Sequence, residues 1–118
     1  MNNKSFDLEE RLVQFAADNI LFLNYLPQTI AGVNLTDQLT RSATSSALNF
    51  GEAQGAITVK DKVHKLSIVL KELKESRVAL KILTQIDYGS KNERAILLDE
   101  CEQLVAIIAS IIKSKMKK

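Results

Sequence analysis

The sequence contains no tryptophan, one proline, one cysteine, one histidine and four glycines in 118 residues. Each shortage removes an architecture or a chemistry. A sheet of many hairpins needs glycine- and proline-rich turns at regular spacing, and these are missing. The single thiol, Cys101, forms no internal disulfide, as is usual in a reducing compartment. One imidazole, His64, cannot supply the paired histidines of a bundle metal site within a protomer, although Asp61 stands one helical turn before it. The run Ile20–Leu23 is far too short to span a membrane, and MNNKSFDLEERL lacks the basic start and apolar stretch of a secretory signal. These absences point to the cytoplasm, without membrane association. No phosphate-binding loop surrounds Gly51 and Gly55, and G-x-S-x-G is absent. No residues combine into acid, base and oxyanion roles, so the expectation is of no catalytic, cofactor-binding or metal-binding residues and no enzyme.

The chain does have apolar residues at helical spacing nearly throughout, with a hydrophobic fraction of 46% and a charged fraction of 25%. The pattern predicts one domain over 1–118, an all-α, antiparallel up-and-down four-helix bundle, with helices near 6–26, 34–51, 59–87 and 91–115. Phe6, Leu12, Phe15, Ile20 and Leu23 mark the first helix, which Pro27 should end or kink near Tyr25. Gly32 then gives the chain freedom to turn, and Asn34 or Thr36 caps the second helix. In the third, Val59, Val63, Leu66, Leu70, Leu73 and Leu80 share a row that Arg77 interrupts. Gly89 suits a left-handed residue after this helix, and Ser90 with Glu93 forms a capping box for the fourth. Leu97, Cys101, Leu104, Ile108 and Ile111 make the next row, where Cys101 reads as a core thiol rather than a nucleophile. Ile107 beside that row gives the fourth helix more apolar face than one seam needs, a feature of partner surfaces and, most simply, of homo-oligomers.

The net charge of +2 hides an asymmetry. Lys113, Lys115, Lys117 and Lys118 lie in a stretch without carboxylates, and the remainder of the chain is net −2. Such lysines either complement the negative end of a helix or attract phosphates, which makes them possible nucleic-acid contacts. A polar stripe runs along the second helix through Gln38, Arg41, Ser45, Asn49 and Glu52, spaced for one face. A solvated face and nucleic-acid readout are both open to it. The favoured expectation is a structural polar network of Gln38, Arg41, Asn49, Glu52, Glu72, Glu75 and Arg77, with Arg41 reaching Glu72 or Glu75 and Asn49 or Glu52 meeting Arg77, because charges near a core seam need partners.

Two stretches carry a family resemblance. Residues 38–56, QLTRSATSSALNFGEAQGA, resemble Q-L-x-R-S-x-T-S-x-x-x-N-x-x-E-A-Q-G-A of the bacterial 23S rRNA-intervening sequence proteins. Residues 65–80, KLSIVLKELKESRVAL, resemble the family's K-L-x-I-A-x-K-E-x-x-E-[ST]-R-x-W-L. Departures fall at Ser46, for an apolar residue, at Gly51, for alanine, and at Ala79, for an aromatic. The resemblance implies an antiparallel four-helix bundle assembled as a ring-like homopentamer. It also implies likeness to the accessory proteins of diversity-generating retroelements, which bind nucleic acid and a reverse transcriptase. Two functions follow as expectations: an oligomeric scaffold for RNA, DNA or a nucleic-acid enzyme, and a protein-interaction module without a nucleic-acid role.

Overall fold

The computed structural model describes residues 7–117. They form α1 (Leu8–Leu23), α2 (Ile30–Gln54), α3 (Val59–Gln85) and α4 (Lys91–Met116), and among the described residues there is no strand. Every helix begins where a side-chain oxygen accepts a free backbone N–H, a contact typically worth about 1 kcal/mol. Asp7 caps Glu10 N at 3.0 Å, Thr29 caps Gly32 N at 3.0 Å, Thr58 caps Asp61 N at 3.0 Å and Ser90 caps Glu93 N at 3.2 Å. Phe6, expected in the first helix, lies outside the described residues.

Three boundaries differ from expectation. α1 stops at Leu23, and the next three amides bond three residues back, tightening the chain ahead of Pro27. α2 begins at Ile30, well before Asn34, so Gly32 lies in its first turn. The glycine is needed for close approach rather than for turning: a Cβ there would stand 1.9 Å from the Pro27 carbonyl oxygen. α3 ends in a Schellman arrangement, with Tyr88 N donating to Leu83 O at 3.0 Å and Asp87 N to Thr84 O at 3.2 Å. Its left-handed cap residue is Asp87, at φ 56°, and Gly89 follows at φ 79°.

The helices run up and down in sequence order, with α2 against α3 the most extensive contact and α1 against α4 much less extensive than the three pairs adjacent in sequence. Leu12 and Phe15 of α1, Leu39 of α2, Leu73 and Leu80 of α3, and Leu104 and Ile108 of α4 meet in the fully buried core. The serines of α2, poor helix formers by propensity, belong to this packing. Ser42 Oγ lies 2.7 Å from Ser76 Oγ across the α2–α3 seam, and Ser46 Oγ donates to Ala43 O at 2.7 Å, so both small polar groups are buried and satisfied. Their size lets the two backbones approach closely. Among the described residues, no helix is long and apolar enough to cross a membrane.

Candidate interaction surface

Beside the serine seam, α2 and α3 frame an open groove of about 1210 Å³. Leu35, Leu48, Leu70, Val78, Ala79 and Ile82 give it an apolar floor, and Arg41, Lys71, Lys74, Glu72 and Glu75 line its charged margins. Leu48 is 63% exposed and Val78 53%. Ala79 stands where the resembling motif has an aromatic, and its small side chain leaves the floor open.

The groove holds much of the expected polar network but not as a network. Gln38 and Arg41 are exposed on its rim, and Arg41 pairs with Asp37 one turn away at 3.5 Å instead of reaching Glu72 or Glu75. Glu75 pairs with Lys71 at 3.7 Å. Asn49 donates to the Ser45 carbonyl and hydroxyl, each at 3.0 Å, within its own helix. Glu52 pairs with Lys65 of α3 at 2.5 Å. Arg77 turns away altogether and meets Glu102 of α4 at 3.1 Å. Helical geometry explains this: at 3.6 residues per turn, Arg77 lies roughly 160° around α3 from Glu75, so one cannot face α2 if the other does. The expectation of a buried, mutually paired set is therefore corrected to separate pairs, mostly solvated. Glu72, like Asn49 and Arg77, is half-buried. Its carboxyl is held above the usual range by burial and by adjacent Glu75, with Lys71 and the Ser45 hydroxyl acting in the opposite direction.

Surplus apolar surface is present on α4, which exposes Ile96 and Met116, but is not confined to it. Ile107 is half-buried, whereas α1 exposes Val13, Ile20 and Leu21. The end of α4 is mixed: Lys113 and Lys117 flank a shallow dip made with Leu70, Ala109, Ile112 and Met116, and Lys115 is half-buried in the same turn. Lys118 lies outside the described residues.

Two polar contacts were not anticipated from the sequence. Arg11 of α1 grips Glu100 of α4 through Nε at 3.0 Å and Nη2 at 2.7 Å, bridging two helices that pack together only sparsely. Arg94 is only 3% exposed and folds back beneath the α3–α4 turn. It donates to the Tyr88 carbonyl at 2.7 Å, the Gly89 carbonyl at 2.9 Å and Asp87 Oδ1 at 3.0 Å. Cys101 is buried; its Sγ–H donates to the Leu73 carbonyl at 3.2 Å, and burial pushes the thiol up to about 12. His64 is exposed, and among the described residues no three His, Cys, Asp or Glu side chains gather as a metal site requires.

This architecture has a solved counterpart. A crystal structure of a protein of unknown function from the S23 ribosomal protein family of Bacteroides thetaiotaomicron VPI-5482 superposes with a TM-score of 0.81 over 90% of this chain and 98% of that one, at 24% identity. That similarity speaks for the fold. No curated protein matches the sequence. The profile of the 23S rRNA-intervening sequence protein family matches residues 4–110. Its span includes both sequence signatures and nearly all of the bundle, and the chain belongs to the 23S rRNA-intervening sequence protein family.

Proposed function

We propose that this protein is a non-enzymatic, cytoplasmic scaffold that assembles as a homopentamer and holds RNA or DNA, or a protein that works on nucleic acid, at a cationic end. The observation that carries the reading is the end of α4, where Lys113 and Lys115 occupy the last turn and Lys117 the cap, with Lys118 following in the sequence and no carboxylate among them. One such turn attracts phosphate weakly and also complements the helix dipole. Five copies on one ring would gather about twenty lysines at one end, so that weak contacts act together.

Titration of labelled RNA and DNA across a salt series tests this. Affinity should be indifferent to sequence and fall with a log–log slope near −0.9 per DNA phosphate contacted. Removing residues 113–118 should lower the affinity and flatten the slope while the assembly persists. A second reading, a protein-interaction module without nucleic acid, is favoured by the open apolar groove between α2 and α3. An intact assembly with no affinity at low salt would select it.

A further inference from the structure

Charge is divided between the two sides of the bundle. α3 carries seven cations against three carboxylates, whereas α1 carries three carboxylates against Arg11, which turns inward to Glu100. Lys74, Arg77 and Lys81 are spaced three and four apart and share one face of α3. Arg77 meets Glu102 of α4, so that face borders α4. Lys91, Glu102 and Lys113 form the answering row of α4, about three helical turns apart, and Lys113 and Lys117 flank the dip that Leu70 completes from α3. Lys74, Lys81, Lys91, Lys113 and Lys117 are all exposed, and among the described residues none of the five has an ion-pair partner. The neighbouring carboxylates are engaged. Glu102 is held by Arg77, Glu75 by Lys71, and Asp99 accepts from Gln103, which turns to Arg11 of α1.

With Arg77 level with Glu102 and the two helices antiparallel, the lysines follow one another along the seam in the order Lys91, Lys81, Lys74, Lys113, Lys117. Their intervals are roughly 6–12 Å, over a track of roughly 39 Å. The floor between them is apolar: Leu70, Leu98, Ala109 and Ile112 are half-buried, and Met116 is 69% exposed. We infer that a single-stranded nucleic acid lies along this α3–α4 face, its phosphates on the lysines and its bases against the apolar floor. A duplex keeps its base faces stacked on one another and would meet the lysines alone, so the apolar strip selects a single strand. The inference rests on the nucleic-acid reading above and extends its site from the end of α4 to one whole face of each copy. It therefore holds for a single protomer as well as for a ring.

The test measures fluorescence anisotropy of labelled oligo-uridine of about 16 nucleotides, alone and annealed to oligo-adenosine, across a salt series. The single strand should bind more tightly than the duplex. Lys74→Gln/Lys81→Gln/Lys91→Gln removes the part of the track that lies away from the end of α4. It should weaken single-strand binding at least about tenfold and make the log–log salt slope shallower by about 2, at about 0.7 per phosphate contact. Arg41→Gln/Lys65→Gln/Lys71→Gln removes as many cations outside the track and should stay within about twofold of the wild type. Circular dichroism checks that each variant remains folded. Equal losses in both triple variants would show bulk charge at work and overturn the track. If the track variant binds as the wild type does while removal of residues 113–118 abolishes binding, the contact is confined to the end of α4. The nucleic-acid reading then stands and the inference falls. A duplex bound more tightly than the single strand overturns the choice of partner, and a wild type without affinity at low salt removes both.

Discussion

Replacing Arg94 by methionine isolates a single buried cation whose partners are all in one turn. Its guanidinium supplies three hydrogen bonds, two of them to the carbonyls of Tyr88 and Gly89, beneath a turn whose Asp87 holds a left-handed φ of 56°. Methionine keeps much of the stem's packing and removes every donor. The carbonyls then lose a charged donor, and hydrogen bonds to a charged group of this kind contribute about 1.5–3 kcal/mol each. Taking about 3 kcal/mol, and about 4 °C per kcal/mol for a domain of this size, the melting temperature should fall by about 12 °C. Asp87→Asn is the control. Its side chain is 83% exposed, so the carboxylate contributes at most about 1 kcal/mol, and asparagine tolerates the same backbone region. Thermal unfolding followed by far-UV circular dichroism reads both, and amide exchange at Tyr88 reports whether the Schellman bond to Leu83 survives. Wild-type melting for Arg94→Met, or an equal loss for Asp87→Asn, would refute the assignment of Arg94 as the support of this turn.

Gly32→Ala should destabilise by at least about 2 kcal/mol in denaturant titration, since its Cβ would overlap the Pro27 carbonyl oxygen and force the α1–α2 connection to move. Cys101 should resist a thiol reagent at pH 8 in the folded protein and react at once in denaturant, because its thiol is buried, hydrogen-bonded to Leu73 and held near 12. Glu72→Gln should raise the melting temperature at neutral pH. The folded carboxyl binds its proton more tightly than the unfolded one, so its ionisation opposes folding at high pH, and the gain should vanish as pH falls through its raised titration.

The helices were legible because burial and capping leave regular marks. Thr58 and Ser90 stood directly ahead of apolar rows, and both proved to be caps. Gly32 misled because a glycine after Pro27 reads as a break, whereas here it admits a carbonyl into the first turn of α2. Ser42 and Ser46 looked like weak helix; their use appears only when α3 brings Ser76 alongside. The polar stripe does share one side of α2, but its partners were chosen by charge and by nearness to a core seam. The angle separating Arg77 from Glu75 around α3 already forbade a common set. Val13 and Ile20 carry the same residue types as core positions, so composition could not separate the outer face of α1 from its inner one. Arg94, in the first turn of α4, resembles a solvated cation until the chain folds the Asp87–Gly89 turn over it.

The claim on which both the scaffold and its cationic end depend is assembly. Light scattering on the full chain after size-exclusion chromatography measures it without variants or ligands. A single species at five times the 13.1 kDa chain mass, about 65 kDa, is the predicted result. A single species at 13.1 kDa at every concentration tested would contradict the account.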